Sequence, residues 1–136
     1  MGRRSSVRLK RELNTSSASS ILSVAKFMMA LGGPPPISLV RAMVENWEAE
    51  LGRMQYDRVD CVAVWIKGVL GMEAIGIGAM DVDLKTWAET VNAAWPNPGP
   101  PDIPRIEEAL GPRGELESRM RRMIVDLRRD AGMPGL

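Results

Sequence analysis

DRVDCVAVWIKGVL, residues 57–70, is the stretch on which the fold turns. Val59, Cys61, Val62, Ala63, Val64, Trp65, Ile66, Val69 and Leu70 leave it few polar positions. A surface helix keeps its apolar residues on one stripe, whereas a helix apolar nearly all round is buried. The segment therefore predicts a central helix, with Asp57 as its cap. Cys61 falls inside it, which predicts a buried, inert thiol.

Working outward, helical spacing recurs on both sides. Upstream, a helix over 37–52 carries Ile37, Val40, Met43, Val44, Trp47 and Leu51 as its apolar stripe, with Arg41, Glu45, Glu48 and Glu50 toward solvent. Before it, Gly32-Gly33 and Pro34-Pro35-Pro36 end a helix over 17–31. That helix is predicted to face Ile21, Leu22, Val24, Ala25, Met28, Met29 and Leu31 inward, and NTSSASS (14–20) supplies its N-caps. Arg4, Arg8 and Arg11 would share one face of a short basic helix over 4–13.

Downstream, GMEAIGIGAM (71–80) breaks the pattern, because each helical glycine costs about 1 kcal/mol relative to alanine. A helix over 82–95 follows, with Leu84, Trp87, Ala88, Val91, Ala94 and Trp95 at helical spacing. PNPGPP (96–101) is a stiff connector. A short helix over 102–110 has Asp102 as cap and Ile103, Ile106 and Leu110 inward. The last helix, 114–131, has a narrow seam of Leu116, Met120, Met123, Leu127 and Ala131, with Glu115–Arg119 and Glu117–Arg121 as i,i+4 pairs. Its basic outer face suits a helix that protrudes or pairs with a partner.

The expectation is thus an all-α domain, a compact bundle of five to six helices with a protruding C-terminal helix. Residues 1–15 form a basic segment, 16–112 the globule, and 113–136 the C-terminal amphipathic helix and tail. A chain of 136 residues can bury such a core without disulfides. ILSVAKFMMAL (21–31), interrupted by Lys26, reads as a core helix rather than a signal sequence. No apolar run reaches the roughly 20 residues of a membrane span.

The chemistry of catalysis is sparse. There is no histidine, so the commonest general base and zinc ligand are missing. Glu45/Glu48 and Asp57/Asp60 are i,i+3 acid pairs that fit a solvated face. GIGAM lacks the strand, spacing and lysine of a phosphate loop. The ten methionines fit adaptable core packing. These residues predict a non-enzymatic protein with no cofactor, no metal and no catalytic residue.

Charge is distributed unevenly: residues 1–13 carry +4, 14–112 carry −5 and 113–136 carry +2. The opening MGRRSSVRLKREL sets Arg3, Arg4, Arg8, Lys10 and Arg11 against Glu12 alone. Met1-Gly2 with Ser6 satisfies the loose myristoylation pattern, which makes Gly2 a candidate lipid anchor. One acyl chain binds membranes marginally and needs a second signal such as a basic patch. A solvated tail and a nucleic-acid arm are the competing readings of this stretch, although it has no aromatic residue for stacking bases.

The start MGRRSSV, the basic patch and the helical body in that order resemble a retroviral Gag matrix protein of the lentiviral type. YDRVDCVAVWIKGVLGMEAIGIGAM (56–80) is similar to that family's buried central helix and the break after it. WPNPGPPDIPRIEEALG (95–111) is more like the proline-rich segment of a capsid N-terminal domain. A different resemblance lies in VENWEAELGRMQYDRVDCVAV (44–64) with PPDIPRIEEAL (100–110). Small phage helicase loaders place a tryptophan helix, a Y-D-x-V helix start and a proline-led final helix in this order.

The first resemblance implies a viral structural protein in the host cytoplasm, at the inner face of the membrane and in the virion. It would bind anionic lipids through Gly2, Arg3, Arg4, Arg8, Lys10 and Arg11, with Lys26 extending the basic face, and would self-associate. The second implies a phage replication or assembly adaptor binding a protein partner through the C-terminal helix at Leu116, Met120, Met123 and Leu127. A basic nucleic-acid-binding module is the third expectation.

Overall fold

The computed structural model describes residues 18–133 except Asn97. Six α-helices run in order: α1 (Ala18–Ala30), α2 (Ile37–Gly52), α3 (Val59–Ala74), α4 (Val82–Ala93), α5 (Ile103–Leu110) and α6 (Arg113–Asp130). No strand occurs among the described residues. The all-α expectation holds. The basic segment 1–15, with its expected short helix, lies outside the described residues.

Helix α3 is central, as its composition predicts. It packs against α1, α4 and α5, and buries Val62, Ala63, Trp65, Ile66, Val69 and Met72. Two buried tryptophans lock it to α2. The Trp47 indole N–H donates to the Trp65 carbonyl at 3.2 Å, and the Trp65 indole N–H donates to the Trp47 carbonyl at 3.1 Å. Gly68 makes room for this pair: a Cβ there would sit 2.0 Å from the Trp47 ring.

Two expectations for α3 are corrected. Asp57 does not cap it; the helix starts at Val59, and the preceding Arg58 makes no side-chain cap bond. Nor does Gly71 end it. The helix continues to Ala74, because Gly71 lies beneath Leu22 of α1 and close packing outweighs helix propensity there. The true stop is Gly76, at φ +85. Its N–H donates to the Glu73 carbonyl and the Ile77 N–H to the Met72 carbonyl, both at 2.9 Å, which is a Schellman closure.

The loop after α3 is held by carboxylates. Backbone N–H groups of Ala79, Met80 and Asp81 donate to Asp130, Glu73 and Asp126. Asp81 caps α4 by accepting from the N–H groups of Asp83 and Leu84. Arg122 pairs with Asp81 at 3.2 Å and Lys85 with Glu73 at 2.7 Å. GIGAM is therefore a clamped connector whose amides already face anions. Asp102 caps α5 through the Arg105 N–H, as expected, while Ile103 lies partly exposed rather than inward.

Helix α6 does not protrude. It packs along α2 and buries Leu116, Met120, Met123, Ile124 and Leu127. Arg128 grips both Glu48 carboxylate oxygens, at 3.2 and 3.1 Å, which ties α6 to α2. The four seam residues expected to receive a partner belong to the core. A narrow apolar seam reads alike whether its partner is another chain or another helix of the same bundle. Glu115 pairs with Arg119 as expected, whereas Glu117 pairs with Arg113 instead of Arg121.

Candidate functional site

Helix α1 forms from an apolar, almost uncharged sequence, and the Gly-Gly-Pro-Pro-Pro turn stops it. One of its faces is buried: Ile21 and Ala25 enter the core against α2 and α3. The other face is apolar too, but open. Val24 is 41% exposed, Phe27 65% and Leu31 72%, and Ile37 at the start of α2 is 55% exposed. Val24, Leu31 and Ile37 were expected inside. The helix is apolar on more sides than the bundle can cover, and hydropathy alone cannot say which side docks.

Along this stretch of the chain, charge has one sign. Lys26 lies exposed on α1, beside the open apolar residues. After Glu12 the next acid is Glu45, so residues 13–44 contain only Lys26 and Arg41 as charged groups. Residues 1–44 carry seven basic residues and one acid, a net +6, while residues 45–136 carry −5. The N-terminal third is thus strongly basic. Gly2, Arg3, Arg4, Arg8, Lys10 and Arg11 fall outside the described residues, and of the expected basic site Lys26 alone can be placed. Arg41 is turned to the end of α6, where its Nε donates to the Ala131 carbonyl at 3.4 Å.

A groove lies where α2 ends and α3 begins. Met54, Cys61, Val64 and Trp65 line it on the apolar side, and Glu50, Arg53, Arg58 and Asp60 surround them, in a groove of about 420 Å³. Cys61 is half-buried on its wall, not sealed in the core as expected, because α3 turns this side toward the groove. Arg58 pairs with Asp60 at 3.3 Å.

Elsewhere the titratable groups serve packing. The Lys67 ammonium donates to the Trp95 carbonyl at 2.9 Å and lies over the Trp95 ring; burial pulls its pKa down. Burial pushes the Tyr56 hydroxyl up, and Glu117 adds to it. Among the described residues no group of three His, Cys, Asp or Glu side chains could hold a metal, and no helix is long and apolar enough to cross a membrane.

The sequence reading put Val24 and Leu31 inside and left Phe27 unassigned, and all three are exposed. The available signal was Phe27, an apolar residue outside the expected inward set and adjacent to Lys26. Comparison with protein-family models, with curated proteins and with solved structures finds no match.

Proposed function

We propose that this chain is a non-enzymatic assembly protein, matrix-like in its action, that presents its basic N-terminal third to an anionic membrane leaflet and self-associates there. The observation that supports this most is the charge division: net +6 over residues 1–44, with no acid between Glu12 and Glu45. Each Lys or Arg held near an anionic leaflet contributes about 1 kcal/mol. The bundle is then a scaffold that fixes the orientation of this surface, and acylation of Gly2 would add a second anchor. The test is flotation of the unacylated chain with phosphatidylserine-containing and pure phosphatidylcholine vesicles, beside a chain lacking residues 1–13. Binding to the anionic vesicles alone, weakened by the truncation, is expected. Equal behaviour of both chains, or no flotation of either, contradicts it.

A second reading is a phage-type adaptor that binds a protein. It is favoured by one observation: α3 packs against α5 and is hydrogen-bonded to α2 through Trp47 and Trp65, which joins the tryptophan helix, the helix after Tyr56-Asp57 and the proline-led helix. On this reading the groove at Cys61 and Val64 receives the partner. Residues 1–13 are then dispensable, and Val64→Glu abolishes partner binding while leaving the fold intact.

A further inference from the structure

We propose that the outer face of α1 and the turn after it form a wedge that enters the acyl region of an anionic bilayer, with Phe27 and Leu31 as its leading side chains. This rests on the membrane reading above and adds the site of insertion.

Val24, Phe27 and Leu31 are spaced i, i+3, i+7, which sets them on one side of the helix. The adjoining side is buried at Ile21 and Ala25, so the open stripe is carried on a fixed support. The other large exposed apolar residues among those described (Val64 on α3, Val82 on α4, Ile103 on α5 and Val125 on α6) are each the single one on their helix, and isolated exposed apolar residues are ordinary. Four within fourteen residues, on α1, the turn after it and the start of α2, are not ordinary.

The turn suits an apolar medium. Leu31, Gly32, Gly33, Pro34 and Ile37 are exposed, and no residue between Lys26 and Arg41 is charged. Unpaired backbone N–H groups resist transfer out of water. Here the Leu31 N–H donates to the Phe27 carbonyl and the Gly32 N–H to the Met29 carbonyl, while Pro34, Pro35 and Pro36 have no N–H. At these five positions no unpaired N–H has to leave water.

Charge selects the occupant. An apolar stripe that carries Lys26 and lies in a stretch of chain with no acid between Glu12 and Glu45 complements anionic headgroups, the arrangement of interfacial helices that sit about 5–10 Å into a leaflet. A second copy docking through the same stripe would bring two net-positive thirds together, which like-charge repulsion opposes.

The experiment is flotation of the full chain with phosphatidylserine-containing vesicles at low salt and at about 1 M salt, where the screening length falls to about 3 Å. Wild type is compared with Phe27→Glu and Leu31→Glu, and thermal unfolding verifies that each variant is folded. The wild type is expected to keep a salt-resistant bound fraction, and each glutamate to reduce it roughly tenfold by removing one inserted side chain. In parallel, Phe27→Trp in vesicles with brominated acyl chains should show quenching beyond that of the native tryptophans.

Glutamate variants that float like the wild type at both salts overturn the wedge. So does an unquenched Trp at position 27, or a stripe whose substitution changes only the oligomeric state. If truncation of residues 1–13 abolishes flotation while the glutamate variants retain it, the wedge fails and the membrane reading stands. If the wild type does not float, both fail.

Discussion

At the scale of single residues, Gly68 is the most demanding position. A methyl group there would meet the Trp47 ring at 2.0 Å, and that ring is pinned by its bond to Trp65. Gly68→Ala is expected to destabilise the fold by about 1–3 kcal/mol, the usual range for overpacking, as measured by urea denaturation. Gly71→Ala should cost less, since its neighbour is the flexible tip of Leu22. Equal costs at the two sites would show that the tryptophan pair is not the rigid point of the core. Tyr56 gives a pH-dependent counterpart. Its folded pKa is raised, first by burial, so the protonated phenol is the form the fold favours. Its contribution is fully present below the unfolded value of about 10 and is lost as pH rises past it. Lys67, with its pKa lowered by burial, acts with the opposite sign in the same alkaline range. Comparing Tyr56→Phe with wild type isolates the tyrosine: the variant should lose less stability between neutral and strongly alkaline pH.

Among the elements, α6 and α1 exchange the roles their sequences suggest. Helix α6 looks like a free seam and is core. Met120→Ala or Leu127→Ala should therefore cost about 2–5 kcal/mol in denaturant melts, the range for buried large-to-small changes. Phe27→Ala on α1 should stay within about 0.5 kcal/mol, as surface substitutions do. The reverse ranking would mean that α6 is a docking helix after all. The positions of the helices are legible in the sequence because Gly-Gly-Pro-Pro-Pro, PNPGPP and Gly132 mark ends with backbone chemistry that acts locally. Which face docks is not legible. For α1 both faces are apolar, and for α6 a seam of Leu116, Met120, Met123 and Leu127 has the same spacing against any partner. The extension of α3 past Leu70 through Gly71 was hidden for a related reason: this glycine answers to Leu22, which is remote in sequence. Of the candidate site, Lys26 and the basic opening could be read directly as charge. Phe27 and Leu31 required knowing what the rest of the bundle leaves uncovered.

Along the whole chain, a basic N-terminal third with Glu12 as its one acid precedes an acidic remainder, and the open apolar residues Val24, Phe27, Leu31 and Ile37 fall within that basic third. A docking surface of this composition should orient the chain on an anionic leaflet, with α1 toward the lipid. Hydrogen–deuterium exchange of the full chain, with and without phosphatidylserine-containing vesicles, tests that orientation most directly. Exchange in α1 and the turn through Ile37 should slow when vesicles are added, while α4 and α5 exchange as before. Protection centred instead on the groove at Cys61 and Val64, or no change in α1, would contradict it.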